Sequence, residues 1–201
     1  AVMLRQGPLR HWYALGRNTT RQGGGAALLS WGGTAFEYLM PHLLLPLYDN
    51  TLLSEGVTSA IRAQIAHARN RPFGISESGY FAFDPDMNYQ YRAFGLPSLA
   101  VSRDTKGEVV APYASMLALP FFPRASLRNL QWMRRMMWYS QEGLYEAADY
   151  TPNRFEKAPR LVQSHMAHHQ GMVLCAACNL ITDFSLVKYF MAPPPARAYA
   201  F

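Results

Sequence analysis

The sequence predicts a mainly α fold, an (α/α) toroid in which long loops join helical hairpins. Apolar residues recur at helical spacing in five or six segments, strand patterns are sparse, and two long irregular stretches, 71–107 and 139–163, separate the helices. Because five or six helices cannot close a double ring, we expect an incomplete (α/α)6 barrel.

The first half of the chain is expected to hold two helices. Residues 1–30 are interpreted as an irregular N-terminal segment, since "GRNTTRQGGG" is rich in residues that break regular structure. The first helix begins near Thr34, a good N-cap residue, and prolines at 41 and 46 bend or end it. The second helix runs from Ser54, its predicted N-cap, to Asn70.

The second half is expected to hold the remaining helices. Their predicted ranges are Val110–Leu119, Ala125–Met137, Ser164–Ile181 and a short helix over 183–190. Strand signals are limited to "SLAVSR" and "GEVVAPY", and residues 191–201 form a Pro-rich tail.

Composition favours one folded domain with part of its surface covered. The chain has 201 residues, half of them apolar, and only 16% are charged, against about 25% in an ordinary soluble domain. The formal charge of +6 comes from scattered basic residues without a dense run, so we expect no nucleic-acid partner. The first residue is alanine, and we expect a fragment of a longer polypeptide.

The sequence gives little support for a membrane-spanning segment or for a zinc or redox site. The longest apolar stretch, "FEYLMPHLLLPLY", is shorter than the about 20 residues that span a bilayer, so we expect no membrane insertion by this segment. Cys175 and Cys178 form a single CxxC without a second ligand pair, which favours small buried thiols over zinc or redox chemistry. We expect no cofactor.

Four acids stand among aromatic and small residues rather than among other charges: Glu37, Glu77, Glu146 and Asp149. Such surroundings desolvate a carboxyl group and raise its pKa, as a general acid near neutral pH requires. Aromatic rings also form the platforms on which sugar rings stack. The alternative, in which these acids are buried and hydrogen-bonded within an aromatic core, stays open for about half of the positions.

Two polar clusters accompany these acids. In an extended "NYQYRAFG", Asn88, Gln90 and Arg92 lie on one side, where they suit sugar hydroxyls or an ion pair within the protein. "SHMAHHQGM" places His165 and His169 four residues apart, as in zinc helices, with His168 beside them. A metal-dependent enzyme built on these histidines is one alternative, and histidines that hydrogen-bond beneath a sugar site are favoured.

Six motifs identify a family resemblance: "GTAFEYLMP", "FGISESGY", "NYQYRAFG", "VVAPYAS", "YEAADYTP" and "MAHHQGM". In this order and spacing, the chain resembles the glucoamylase-like domain of cyclic β-1,2-glucan synthases, which is related to endo-β-1,2-glucanases. The six motifs of the resemblance lie across residues 31–172, and we interpret residues 31–190 as a partial glucoamylase-like (α/α) domain. Phe73 and Ala148 depart from the family pattern, which expects tryptophan and isoleucine there.

The resemblance implies action on β-1,2-glucan chains by transglycosylation, which cyclises them, or by hydrolysis. It also implies a place on the cytoplasmic side of the bacterial inner membrane, within a larger membrane protein whose other domains are partners. A non-catalytic glycan-binding or scaffolding module is the alternative. Cyclisation needs a sugar hydroxyl rather than water to resolve the reaction, which fits a retaining route.

The resemblance also assigns site residues by motif position. Glu146 is expected to be the acid or acid/base, Glu77 its partner, and Glu37 a third carboxylate that binds a hydroxyl or tunes a pKa. The expected substrate-binding residues are Trp31, Tyr80, Tyr89, Gln90, Tyr91, Arg92, Tyr145, Asp149, Tyr150, His168, His169 and Gln170.

Overall fold

The computed structural model describes residues 7–102, 104, 107–152 and 159–193. Seven α-helices lie in these ranges: α1 Arg10–Ala14, α2 Ala35–Leu39, α3 Leu52–Ala68, α4 Pro112–Leu117, α5 Pro123–Arg135, α6 Ala167–Ile181 and α7 Ser185–Met191. Two short 3-10 helices cover Met40–Leu43 and Pro97–Leu99. The predicted Pro-rich tail falls outside the described residues from 194 onward.

The strands correct the predicted fold class. Helices contain 42% of the residues and strands contain 19%, so the fold is mixed α/β rather than a mainly α toroid. The strands are β1 Thr19–Gln22, β2 Gly25–Leu28, β3 Ser78–Phe83, β4 Tyr89–Arg92, β5 Val109–Val110, β6 Tyr139–Ser140, β7 Gly143–Leu144, β8 Ala147–Asp149 and β9 Arg160–Val162. They form the small sheets β1-β2, β3-β4, β5-β8-β9 and β6-β7.

The N-terminal segment shows why these strands were not predicted from the sequence. Gly23 and Gly24, taken as breakers of regular structure, have φ of 59° and 84° and form the two-residue turn between β1 and β2. Positive φ at both positions is typical of the tight turn that joins antiparallel strands. Strands of four residues are too short for their alternation to stand out from a loop.

Helix starts are partly as predicted. Thr34 accepts a hydrogen bond from the Glu37 N–H and caps α2. The second predicted helix is α3, and it starts earlier than expected because Thr51 rather than Ser54 is its N-cap. The helix predicted from Val110 begins at Pro112 instead, since Val109 and Val110 pair with β8. The helix predicted from Ser164 begins at Ala167, after β9.

Two buried amides hold the segment that leads to Glu77. The Asn129 side chain of α5 accepts from the Phe73 N–H at 3.0 Å and donates to the Phe73 carbonyl at 2.8 Å. The Gln64 side chain of α3 makes the same pair of bonds with Ile75, at 2.9 and 2.8 Å. Because each amide satisfies both backbone groups of its residue, the segment is fixed without being part of a long strand.

Helix α6 packs against α4 and against the 3-10 helix Met40–Leu43. In the part of the chain that the structure describes, no single helix is both long and apolar enough to cross a membrane. Helices α6 and α7 reach that length and composition only as a pair, and a bend of 97° separates them. The thiols of Cys175 and Cys178 are free and partly buried.

Candidate active site

Glu77 lies at the start of the β3-β4 hairpin, and its side chain is half-buried. The Tyr91 hydroxyl, from β4, lies 3.5 Å from its Oε2 atom. Tyr113, in the first turn of α4, donates its hydroxyl hydrogen to the Glu77 backbone carbonyl at 2.9 Å. Burial and, secondarily, the nearby carboxyl of Glu37 raise the pKa of Glu77 above its usual range.

Glu146 precedes the central strand β8 and is buried, with 2% of its surface exposed. The Gly79 N–H donates to its Oε1 atom at 3.0 Å. Its Oε2 atom lies 2.9 Å from Nδ1 of His169. Both oxygens therefore face donors from within the protein, as a buried carboxyl requires.

His169, in the first turn of α6, links Glu146 to the tyrosines. Its ring stacks on Tyr113, with 3.7 Å between ring centroids and 10° between planes. Its Nε2 atom lies 3.4 Å from the Tyr91 hydroxyl. Glu146, His169, Tyr91 and Glu77 therefore form one continuous series of polar contacts from the interior to the surface.

The two tyrosines of this cluster keep their hydroxyl hydrogens. Burial raises the pKa of Tyr91, and the carboxyls of Glu77 and Glu146 raise it further. Burial also raises the pKa of Tyr113. Both phenols are consequently neutral hydrogen-bond donors over the physiological pH range.

Glu37 holds the loop that precedes α2. Its carboxylate accepts hydrogen bonds from the Ser30 hydroxyl at 2.9 Å, the Gly32 N–H at 2.9 Å and the Thr34 N–H at 2.9 Å. Glu37 thus stabilises a helix N-terminus and also acts electrostatically on Glu77.

Other predicted substrate-binding residues surround this cluster. His168 is exposed, and its ring centroid lies 4.0 Å from that of His169. Trp31 has 73% of its surface exposed and adjoins Gly32, which donates to Glu37. These side chains offer a ring surface and an imidazole to a ligand from solvent.

On the β3-β4 hairpin, several predicted residues have partners within the protein. The Tyr80 hydroxyl donates to Gln90 at 2.6 Å, and Arg92 pairs with Asp104 at 2.5 Å. The Tyr89 ring packs against Phe83, with centroids 4.7 Å apart. Arg92 therefore takes the ion-pair alternative that the sequence left open.

The residues predicted around "YEAADYTP" are also largely satisfied internally. Asp149 is buried and accepts from the backbone N–H groups of Phe81 at 3.1 Å and Thr151 at 2.9 Å. The Tyr150 ring packs against Trp138. The structure brings neither of them to the Glu77 cluster.

Tyr145 and Gln170 lie near the start of α6. The Tyr145 ring lies beside His165, with centroids 5.5 Å apart. The Gln170 amide donates to the Leu144 carbonyl at 2.9 Å. These contacts join the β6-β7 turn to α6, and they do not reach Glu77.

The three histidines do not converge on a metal position. Nε2 of His165 lies 3.0 Å from the Ser140 hydroxyl and its Nδ1 lies 2.9 Å from the Leu144 carbonyl. Within the described ranges, no three His, Cys, Asp or Glu side chains are placed to hold a metal ion. The histidines instead make hydrogen bonds and ring contacts.

Sequence reasoning missed Tyr113 and Gly79 as site residues. Tyr113 belongs to the motif "VVAPYAS", but its apolar neighbours indicated an ordinary core helix. Gly79 leaves room for Glu146, since a Cβ atom there would lie 3.2 Å from the Glu146 Cγ atom. The regular occurrence of glycine and serine around Glu77 was the available signal.

The arrangement combines a half-buried acid of raised pKa with a buried carboxylate–imidazole pair and neutral phenol donors. Such a group can give a proton to a substrate oxygen and receive hydrogen bonds when it becomes charged. The site therefore has the parts of a general acid/base centre.

Comparison with known proteins gives consistent results. A family model described as "Putative glucoamylase" matches residues 4–194. The chain is 37% identical over 196 residues to the cyclic beta-(1,2)-glucan synthase NdvB of Rhizobium meliloti (strain 1021), a match that covers 95% of this chain and 7% of that protein. The chain is thus a small part of the length of this relative.

Solved structures share the fold. A "putative glucoamylase" from Bacteroides caccae has a TM-score of 0.65 and 18% identity, over 90% of this chain and 44% of its own. An endo-beta-1,2-glucanase from Chitinophaga pinensis, in complex with sophorotriose and glucose, has a TM-score of 0.63 and 17% identity, with the same coverage. At these identities the likeness establishes the fold alone.

Proposed function

The chain belongs to the glucoamylase family, as its motifs indicated, and on that basis we propose that it acts on β-1,2-glucan chains by transglycosylation or hydrolysis. The substrate follows from its relatives, since a cyclic β-1,2-glucan synthase and β-1,2-glucanases are similar to it. The observation that supports catalysis is the placement of Glu77. It is a half-buried acid that faces Tyr91, beside the buried Glu146–His169 pair.

Glu77 is proposed as the acid that contacts the substrate. The sequence assigned that role to Glu146, but the Glu146 side chain is 1% exposed and both its oxygens have donors. A sugar oxygen needs direct access to the acid's proton, which Glu77 offers and Glu146 does not. We assign Glu37 the tuning role, which is supported by the effect of its charge in raising the pKa of Glu77.

In the proposed reaction, Glu77 first donates a proton and then takes one back. In the bond-breaking step, the glycosidic oxygen takes the Glu77 proton and the electron pair of its bond to the anomeric carbon. In the bond-forming step, a hydroxyl oxygen bonds to that carbon and gives its proton to the Glu77 carboxylate, which restores the acid. The hydroxyl belongs to water in hydrolysis and to a glucan chain in transglycosylation. Between the two steps the anomeric carbon carries the positive charge of an oxocarbenium-like centre, which the incoming hydroxyl oxygen attacks.

Sugar rings are proposed to bind along the exposed side of the cluster. Tyr91 has 43% of its surface exposed and Trp31 73%, and His168 adds a polar ring between solvent and His169. Flat aromatic surfaces next to hydrogen-bonding groups suit pyranose rings, whose C–H faces are apolar and whose edges are polar.

We further propose that the chain works within a larger, membrane-associated synthase on the cytoplasmic side of the inner membrane. The chain covers 7% of its synthase relative. Large apolar side chains are exposed on α6 and α7, where Leu174, Ile181 and Tyr189 have 70%, 81% and 78% of their surface exposed. Such a surface fits contact with another domain.

A non-catalytic glycan-binding module is the second candidate, and the burial of Glu146 favours it. If the acid pair does not reach the sugar, the exposed rings still bind glucan. Product formation from linear β-1,2-glucan, analysed by chromatography, separates the two functions. The assay is run on this chain and on a longer polypeptide that contains it.

Variants make the test specific. Glu77→Gln is expected to lower turnover by about 100-fold or more while glucan binding persists, because general acid catalysis contributes about 10²–10⁴-fold. Glu146→Gln is also expected to lower turnover and keep binding, because Glu146 positions His169. Glu142→Gln is the control, since Glu142 is exposed and hydrogen-bonds to the nearby Ser140 hydroxyl. Wild-type turnover in Glu77→Gln would reject the assignment, and binding without product in the longer polypeptide would support the binding module.

A further inference from the structure

A series of contacts joins the buried pair Glu146 and His169 to the partly exposed Tyr91 and Glu77. These contacts suggest a role for Tyr91 that no motif assigns. We infer that Tyr91 is a hydrogen-bond donor that turns from His169 to Glu77 during catalysis, and that Glu146 makes this possible by fixing the His169 tautomer. Tyr91, His169 and Glu146 are positioning residues in this scheme. The inference rests on the proposed function, because it assigns the catalytic proton to Glu77.

Glu146 determines which His169 nitrogen carries the hydrogen. The Glu146 Oε2 atom lies 2.9 Å from Nδ1, and its other oxygen already accepts from the Gly79 N–H at 3.0 Å. A buried carboxylate accepts hydrogen bonds, so Nδ1 donates and Nε2 presents its lone pair in the neutral imidazole. Stacking on Tyr113 at 3.7 Å keeps the ring in this orientation.

The Tyr91 hydroxyl has one hydrogen to donate and two possible acceptors nearby. Its hydroxyl lies 3.4 Å from Nε2 of His169 and 3.5 Å from Oε2 of Glu77. While Glu77 is protonated, its O–H points to the Tyr91 oxygen and the phenol hydrogen points to Nε2. Once Glu77 has given its proton to the glycosidic oxygen, the phenol hydrogen turns to the new carboxylate. Both distances are long, as catalytic hydrogen bonds often are before the substrate binds.

This rotation stabilises the transition state more than the ground state. The bond to Glu77 forms only as negative charge develops there, so it lowers the barrier rather than tightening substrate binding. No atom is transferred by Tyr91, and the phenol keeps its hydrogen throughout. A tyrosine that only packs against the histidine would not need its hydroxyl.

Tyr91→Phe tests the rotation with little risk to folding, because only a half-exposed hydroxyl is removed. On β-1,2-glucan, kcat is expected to fall about 10- to 100-fold while KM stays within about twofold. The alkaline limb of the kcat profile is expected to move to higher pH, since the Tyr91 hydrogen bond lowers the pKa of Glu77. The charged or titratable groups around Glu77 are Glu37 of α2, Tyr91 of β4, Tyr113 of α4, Glu146 before β8, and His168 and His169 of α6.

The tautomer is tested without an enzyme assay. Nitrogen chemical shifts of His169, measured by NMR, are expected to show hydrogen on Nδ1 in the wild type. Glu146→Gln is expected to change that distribution, because an amide donates as well as accepts. His67→Gln and Tyr139→Phe are controls, since His67 forms a histidine–glutamate contact with Glu108 at 3.3 Å and Tyr139 is 39% exposed.

The outcomes separate the two proposals. If the wild type does not process β-1,2-glucan, the proposed function fails, and the His169 shifts still decide the tautomer. If turnover occurs but Tyr91→Phe keeps wild-type kcat and an unmoved alkaline limb, the rotation is rejected. An unchanged His169 tautomer in Glu146→Gln would reject the role of Glu146. Unaltered kcat and pH profiles are expected for both controls.

Discussion

The carboxylate of Glu146 and the imidazole of His169 lie 2.9 Å apart in the interior, and each side chain is 1% exposed. The two residues are far apart in the chain: Glu146 immediately precedes β8, and His169 lies in the first turn of α6. The contact therefore fixes the helix that carries His168 and His169 to the sheet beneath Glu77.

Removing one partner of this contact should strongly destabilise the chain. For His169→Ala we expect a loss of about 3–5 kcal/mol in the free energy of unfolding, because the Glu146 carboxylate would stay buried without its partner. His67→Ala is the matched control, since His67 contacts Glu108 with both side chains 35% exposed, and it should cost less than about 1 kcal/mol. Urea denaturation measures both, and equal losses would contradict the interpretation.

The raised pKa of Glu77 predicts a pH-dependent stability. The folded chain holds the Glu77 proton more tightly than the unfolded chain does, so the contribution of Glu77 to stability is most favourable below the usual glutamate pKa, about 4.3. Stability falls as the pH rises through the folded value, because ionised Glu77 is disfavoured in its half-buried position. Glu77→Gln cannot ionise, so relative to wild type it should gain stability between acidic and neutral pH.

Urea denaturation of both proteins at acidic and neutral pH measures this difference. The gain should stay below about 1 kcal/mol, since solvent screens a half-exposed group. Glu142→Gln serves as the control, because hydrogen bonds lower rather than raise the pKa of Glu142. A relative loss of stability for Glu77→Gln on going to neutral pH would mean that the carboxylate is stabilised there.

The sequence predicted the long helices well because their periodic apolar faces are local signals. Helix α6 lies within its predicted range, and α3 and α5 overlap theirs but begin earlier, at Leu52 and Pro123. It did not predict the sheet β5-β8-β9, whose strands have two or three residues and in which Val109 of β5 pairs with the distant Asp149 of β8. A pairing of that kind depends on tertiary packing, which a periodicity analysis does not include.

For the site, the sequence identified the residue types and left their roles open. The motifs singled out Glu77, Tyr91, Glu146 and His169, and the structure brings these four together. Which carboxyl faces solvent depends on the position of β8 beneath the hairpin, and no local pattern encodes that. The same holds for Asp149, which accepts from two backbone N–H groups and pairs with Arg160 at 3.7 Å.

The amide pair around Phe73 predicts a link between the core and catalysis. Asn129→Ala leaves the Phe73 N–H without its partner in the interior, while the Phe73 carbonyl keeps the Ser115 hydroxyl as a donor. We therefore expect a loss of about 1–3 kcal/mol of unfolding free energy. Turnover should also fall, because Phe73 leads directly into the segment that positions Glu77. Gln131→Ala, on the exposed side of the same helix, should change neither. Urea denaturation and glucan turnover are measured for both variants. A stable but inactive Asn129→Ala would show that the amide acts only on the segment between Phe73 and Glu77.

Trp31 predicts a binding effect without a stability effect. Its ring is 73% exposed, so Trp31→Ala removes little buried surface and should leave the free energy of unfolding within about 0.5 kcal/mol of wild type. If sugar stacks on this ring, KM for β-1,2-glucan should rise about 10-fold, since an aromatic contact contributes about 0.5–1.5 kcal/mol beyond its buried area. Trp12→Ala is the matched control, because Trp12 is 51% exposed on α1 and contacts Arg17. Equal KM values for the two variants would place the sugar path away from the loop that Glu37 holds, whereas an effect confined to Trp31 would extend the binding surface from Tyr91 to that loop.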